Sequence, residues 1–394
     1  MAAEKDLLAR ACAKAGLSDF GDDWFRGALG AWVKDLDGPH LSERGRAFFE
    51  RLVVKDLVRR AQVIDCLKKN PEIEETTIPP ILYITGHERS GTTYLHNLLS
   101  HHKFGRSLSR WELMMPTPPP EPDSLMDDPR RAQAQKSVDA LKGTDLETMH
   151  WVNAHDPEEC VWGFMDCTAL LGQAPMMIMP TWRTWLSNND LTPTFENYRK
   201  IIQILIWKNQ VPADGFLVLK APQITRDLTE FAAVFSEARF AFTHRDPYRV
   251  LTSTCNLVEI VNRPFLANKD YFFETEKQEK IMFEQCMDKL DAMTLFAKQQ
   301  PNRVTNVNYI DLIERPVNVV SQVFNAFGSV CDDELDVKIA DFIAGQQQGQ
   351  RAKPRGDLST FGYDHDKVLA NNRVARYMDH FHLPSEVTRR TSAS

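Results

Sequence analysis

Residues 81–99 read Ile-Leu-Tyr-Ile-Thr-Gly-His-Glu-Arg-Ser-Gly-Thr-Thr-Tyr-Leu-His-Asn-Leu-Leu. An apolar run too short for a helix meets a loop bounded by Gly86 and Gly91, and a helical pattern follows. Such a strand–loop–helix unit aims several backbone N–H groups and the positive end of a helix dipole at one point, which suits a phosphate. The spacing Gly86-x-x-x-x-Gly91 is that of a nucleotide P-loop. Thr92, however, stands where a nucleoside triphosphatase carries its lysine, and the basic residue is Arg89. The loop therefore points to a phosphorylated nucleotide that is not handled as Mg·ATP.

The rest of the chain supplies a sheet for this unit. Short apolar runs at 216–219, 239–243 and 304–308 alternate with helical patterns at 227–235, from Asp246 onward, and at 316–327. Asp246 followed by Pro247 is a helix start, with proline at its favoured first position. The alternation predicts an α/β fold, a parallel sheet flanked by helices with a P-loop-like phosphate-binding loop. Residues 1–78 are expected to form an N-terminal helical cap ending at Pro79 and Pro80. Residues 79–365 would form the α/β domain, with an insertion around 105–212 of the kind that builds a substrate pocket, and 366–394 a C-terminal extension. Within the insertion, Trp151, Trp162, Trp182, Trp185 and the Met-rich run at 176–179 are either core or the lining of a pocket for an apolar or aromatic molecule.

A second constellation lies at 245–253. Arg245 ends a predicted strand, where ligands bind in open α/β sheets, and Ser253 falls about two helical turns later. One cation and one hydroxyl so placed can clamp a second phosphate.

With these residues the chain resembles the sulfotransferases that use 3′-phosphoadenosine 5′-phosphosulfate, in their bacterial-type branch. Arg89-Ser90-Gly91-Thr92-Thr93 resembles their 5′-phosphosulfate loop, and Arg245 with Ser253 their 3′-phosphate clamp. Trp111-Glu112 and Leu219-Lys220-Ala221-Pro222 match further segments of that branch. The resemblance implies transfer of a sulfuryl group to a hydroxyl, less readily an amine, of a small acceptor, releasing adenosine 3′,5′-bisphosphate without a metal. It assigns cofactor contacts to Arg89, Ser90, Gly91, Thr92, Thr93, Tyr94, Arg245 and Ser253. It adds Tyr309 near the adenine, and Arg355 and Gly356 in a late basic loop.

For the chemistry, Arg89 and Lys220 are the expected cations and Glu112 the expected base, with Glu158, Glu159 and His155 as alternatives. Many relatives carry a histidine after Lys-x-Pro; here Gln223-Ile224-Thr225 follows instead. A small-molecule kinase on the same loop, and a non-catalytic nucleotide-binding protein of the same fold, are the competing readings.

Composition narrows the partners. A net charge of −7, from 47 basic and 54 acidic side chains, argues against a nucleic-acid binder. Seven cysteines without C-x-x-C spacing predict neither a disulfide framework nor a zinc site. Without an early apolar run, the N-terminal sequence suggests a cytoplasmic protein with no membrane partner. The composition leaves room for a homodimer.

Overall fold

The computed structural model describes residues 2–140, 142–143, 153–165, 178–208, 211, 214–268, 276–348 and 362–386. Five strands, β1 (Ile81–Gly86), β2 (Gly105–Arg106), β3 (Phe216–Lys220), β4 (Ala238–His244) and β5 (Val304–Asn308), form one sheet in the order β2-β3-β1-β4-β5. Every pairing is parallel. The expected parallel α/β architecture is the one observed. The sequence reading omits β2, whose two residues are too few to show an alternating pattern.

Strand side chains alternate between two cores, as a pleat of period two requires. Leu82 and Ile84 of β1, Phe216 and Val218 of β3 and Ala241 of β4 pack with Leu95, Leu98 and Leu99 of the helix Thr92–Leu99 and with Val319, Val320 and Val323 of the helix Pro316–Phe327. Ile81, Tyr83, Leu217, Leu219, Phe240 and Phe242 face the opposite way, into a core shared with the helices Thr192–Trp207, Pro247–Asn262 and Glu276–Gln299. Each such aliphatic or aromatic side chain contributes about 1.5–3 kcal/mol by leaving water.

The N-terminal helices Ala2–Ala15, Phe25–Leu36 and Glu43–Lys69 join this second core without a break. Trp32 packs on Trp182 at a tilt, 5.3 Å between centroids, and Trp24 meets Trp185 edge-on at 5.0 Å. Met179 and Trp182 are fully buried. Trp182, Trp185 and Met179 thus belong to the core that binds the N-terminal helices to the insertion, not to a pocket lining. Trp151, Met176 and Met177 lie outside the described residues. Six cysteines in the described region are free thiols.

The register brings Ile84 beside Lys220 and Gly86 beside Thr243, so β3, β1 and β4 end together. β1 is the central strand, flanked by β3 on one side and β4 on the other. Its loop crosses very close to β4. A Cβ on Gly86, whose φ is 142°, would lie 2.5 Å from both the carbonyl oxygen and the hydroxyl of Thr243. Only glycine fits this position. Gly86→Ala is expected to cost about 2 kcal/mol or more of stability. A urea unfolding midpoint equal to that of the parent would contradict this close approach.

Candidate active site

The loop after β1 is shaped by two left-handed residues, Arg89 (φ 69°) and Gly91 (φ 96°). Glycine adopts this conformation freely, but for arginine it costs of order 1–3 kcal/mol unless its surroundings hold it. They do so from both ends. Arg245 donates from Nη1 to the Arg89 carbonyl at 3.0 Å, and Arg89 Nε donates to Ser253 Oγ at 3.0 Å. Beneath the loop a set of small hydroxyls fixes its path. Ser90 Oγ donates to the His87 carbonyl at 2.5 Å and meets Thr243 Oγ1 at 2.6 Å. Thr225 Oγ1 donates to the Gly86 carbonyl at 2.7 Å and lies 2.8 Å from Thr85 Oγ1. The Ser90 side chain is therefore turned inward and locks the turn. Tyr94 likewise sends its ring toward Phe342 at 6.3 Å.

The helix Thr92–Leu99 starts immediately after Gly91. The first N–H groups of an α-helix lack intrahelical acceptors and carry the positive end of its dipole. Three cations surround that point: Arg89 in the loop, Lys220 at the end of β3, and Arg245 just past the end of β4. Burial lowers the pKa of Arg89, and the charge of Arg245 lowers it further. Two guanidiniums held this close destabilise each other and are relieved by an anion.

Arg245 also stacks over the Tyr309 ring, with its Cζ 4.0 Å from the ring centroid. A Cβ added to Gly91 would sit 3.0 Å from the same ring. Tyr309 thus lies between the loop and Arg245. Arg89, Ser253, Arg245 and Tyr309 form one connected set. Ser253, expected to act beside Arg245, instead contacts Arg89. Arg355 and Gly356 lie outside the described residues.

Lys220 is almost fully buried and makes two contacts. Its Nζ donates to Glu159 Oε1 at 2.6 Å and to Thr93 Oγ1 at 3.3 Å. Gln223 donates to the other oxygen, Glu159 Oε2, at 2.7 Å. A carboxylate, an ammonium and a helix-start hydroxyl therefore meet at the mouth of the loop. Glu158 points elsewhere, into an ion pair with Arg110 at 2.9 Å, and His155 is exposed.

Glu112 has a different task. It accepts from the Ser109 N–H at 2.9 Å and the Ser109 hydroxyl at 2.8 Å, and pairs with Arg106 at 2.7 Å. It is the third residue of a capping box that starts the helix Arg110–Met114. The partner is Arg106, not the neighbouring Arg110 or the loop's Arg89.

A model of the sulfotransferase family matches residues 80–333. The chain belongs to the sulfotransferase family. Its fold is similar to two mycobacterial sulfotransferases of known structure. STF9 from Mycobacterium avium superimposes with a TM-score of 0.85 at 24% identity, over 97% of each chain. STF1 from Mycobacterium tuberculosis H37Rv gives 0.78 at 23% identity, over 94% of this chain and 98% of that one. No curated protein sequence matches the chain. No described helix is long and apolar enough to cross a membrane. No group of three or more His, Cys, Asp or Glu among the described residues is arranged to hold a metal.

Three contacts of this sulfotransferase site have no counterpart in the sequence reading. Lys289, from the helix Glu276–Gln299, forms a buried ion pair with Glu88 inside the loop. Gln223 braces Glu159. Glu386, near the end of the chain, holds Arg245 through both carboxylate oxygens. All three span more than sixty residues of sequence, so no local spacing announces them. A groove of about 370 Å³ near Phe216, Ala238 and Arg239 opens at the other end of the strands. It lies away from the carboxyl edge where ligands of such sheets bind.

Two buried histidines tie the site to pH. Burial pushes His87 down to about 4 and His244, at the end of β4, down to about 4. His244 lies between Tyr377 Oη, 2.7 Å from Nδ1, and Asn306 Oδ1, 2.9 Å from Nε2. This suits a neutral ring that accepts from the tyrosine and donates to the amide oxygen. The unfolded chain takes up these protons near pH 6.5, the folded chain only near pH 4. Their contribution is complete above pH 6.5 and is lost as the pH falls toward 4. In that window each should lower stability by about 1.4 kcal/mol per pH unit. Urea midpoints measured from pH 7.5 to 4 should fall less steeply in His244→Asn than in the parent; identical slopes would exclude His244 as a source.

Proposed function

We propose that this sulfotransferase takes its sulfuryl group from 3′-phosphoadenosine 5′-phosphosulfate and passes it to a hydroxyl of a small acceptor. The observation that carries the reading is the 3.0 Å hydrogen bond from Arg245 to the Arg89 carbonyl. It makes the phosphosulfate loop and the second-phosphate clamp two ends of one surface, as a nucleotide with phosphates on both its 5′ and 3′ oxygens requires. Tyr309 lies along that surface, in a place suited to support the adenosine. The N–H groups at the start of the helix, the Thr92 and Thr93 hydroxyls and Arg89 would receive the 5′ end.

In the reaction the acceptor oxygen forms a bond to sulfur as the bond from sulfur to the bridging oxygen breaks. The electron pair leaves with the phosphate, as adenosine 3′,5′-bisphosphate. Arg89, Lys220 and the helix-start N–H groups face the charge that gathers on the departing oxygens, and such preorganised donors lower the barrier because they need not reorient. The acceptor's proton goes to a base. We assign that role to Glu159, because it is the carboxylate joined to Lys220, and Lys220 in turn touches the loop helix at Thr93. Gln223 occupies the region where many relatives place a histidine, and it fixes the Glu159 carboxylate instead.

A kinase reading lacks the loop lysine, because Thr92 holds that position. The tryptophans at 182 and 185 are spent in the core and lend no support to an apolar or aromatic acceptor.

Two outcomes are expected. In calorimetry, adenosine 3′,5′-bisphosphate should bind with unchanged affinity when a chelator is present; loss of binding would favour a metal-nucleotide enzyme. Glu159→Gln should lower turnover of sulfuryl transfer by about 10²- to 10⁴-fold. The same variant should bind the bisphosphate within about twofold of the parent, a difference below 0.5 kcal/mol. Parental turnover in this variant would move the base elsewhere.

A further inference from the structure

The Arg245 guanidinium, the expected partner of the nucleotide's second phosphate, already holds an anion that belongs to the chain. Its Nε donates to Glu386 Oε1 at 2.9 Å and its Nη2 to Glu386 Oε2 at 3.2 Å. A bidentate phosphate uses the same fork. The remaining nitrogen, Nη1, is committed to the Arg89 carbonyl. A phosphate and Glu386 therefore compete for one pair of donors.

The segment that carries Glu386 folds back from the preceding helix toward the end of β4. After the helix Asn372–His380 the chain turns back through His382, which has a left-handed φ of 52°, with Leu383 N–H donating to the Met378 carbonyl at 2.9 Å. Beyond Pro384, Ser385 and Glu386 both reach Asp246, and Ser385 Oγ also lies 3.5 Å from His365 Nε2. The Glu386 N–H donates to Asp246 Oδ2 at 2.8 Å, and Ser385 Oγ to the same oxygen at 3.3 Å. The other oxygen, Asp246 Oδ1, caps the helix Pro247–Asn262 through the Tyr248 N–H at 2.9 Å. Upstream the anchor is firm. Arg373 reaches Glu284 at 3.0 Å, Asp288 at 2.7 Å and Asp291 at 2.6 Å, and Tyr377 meets His244 at 2.7 Å. The helix is thus fixed by several ion pairs, while the Glu386 carboxylate reaches the clamp through its own side chain, whose rotation would break that contact.

We propose that Glu386 is an internal occupant of the second-phosphate clamp, a C-terminal strap that a nucleotide bearing a 3′-phosphate must displace and one lacking it need not. The inference rests on the reading of Arg245 as that clamp. The side chains of the pair are 20% and 17% exposed, so water reaches the contact and exchange is feasible. A phosphate dianion is the stronger partner for a guanidinium, so displacement is favourable but opposed. The opposition weakens retention of the bisphosphate product and so favours its release.

The test compares adenosine 3′,5′-bisphosphate with adenosine 5′-phosphate in calorimetry at fixed salt, using the full chain, Glu386→Gln, a chain ending at Pro384, and Arg245→Ala. If the strap is closed about ten times as often as it is open, releasing it tightens binding about tenfold. Glu386→Gln and the shortened chain should both bind the bisphosphate about tenfold more tightly, with the 5′-phosphate affinity unchanged. Bisphosphate affinity equal to or weaker than the parent's in both variants would overturn the strap. Arg245→Ala separates the two ideas. If it weakens bisphosphate binding while the other two variants are unaltered, the clamp stands and the strap alone falls. If it binds the bisphosphate like the parent, the clamp reading fails and the strap falls with it.

Discussion

The carboxyl edge of the sheet depends on the contact between Gly86 and Thr243. Because residue 86 has no side chain, the loop after β1 can lie on the β4 backbone, within 2.5 Å of where a Cβ would be. That approach puts Ser90 in reach of Thr243 and the Arg89 carbonyl in reach of Arg245. The loop and the end of β4 are then one structural unit. A loop standing a few ångströms further out would still have a helix behind it, but the Arg89 carbonyl would be out of reach of Arg245, just past β4. The strain at Arg89 follows from the same contact. It is tolerable because Arg245 and Ser253 fix the residue at backbone and side chain respectively.

A site built to receive several negative charges has to hold its cations in the meantime. Burying cations without partners is costly, and removing one partner of a buried pair leaves an uncompensated charge. Lys220 has Glu159, Arg245 has Glu386 and the Arg89 carbonyl, Lys289 has Glu88, and Arg89 donates to the Ser253 hydroxyl. These pairs differ in how readily they open. Glu88 and Lys289 are packed beneath the loop, with side chains 11% and 8% exposed, and serve its shape. Glu386 comes from the end of the chain and is the most easily exchanged. Glu159 lies between, its direction fixed by Gln223 and Lys220.

Sequence reading reached the parts of this site that short-range rules govern. β1, β3, β4 and β5 are short apolar runs with turn signals at their ends, and Asp246-Pro247 starts a helix where expected. The loop glycines and Arg89 follow one another in sequence, so their common role is legible. The pairs Lys220–Glu159 and Arg245–Glu386 join residues 61 and 141 positions apart, and no periodicity reports such a meeting. The tryptophans at 182 and 185 show a different limit. An aromatic residue has the same sequence signature whether it lines a cavity or fills a core, and here Trp32 and Trp24 on the N-terminal helices decide the matter.

Glu112 had a local signal that was available and points away from catalysis. Ser109-x-x-Glu112 is the sequence form of a capping box, and the structure uses it as one. Its consequence nevertheless reaches the reaction site. Ser109, held by Glu112, forms an isolated antiparallel bridge with Pro157, and the next residue, Glu158, donates its N–H to the Leu108 carbonyl at 3.0 Å. Arg110, in the first turn of the capped helix, binds Glu158 at 2.9 Å, and Glu158 in turn accepts the Glu159 N–H at 2.8 Å. Glu112 is therefore a positioning residue whose effect passes through Ser109 and the 157–159 segment to Glu159. Loss of turnover on changing Glu112 would not by itself name it as the base. The carboxylate that touches Lys220 and the one that places it would fail in the same assay for different reasons. What separates them is the helix Arg110–Met114, whose start depends on Glu112 and not on Glu159.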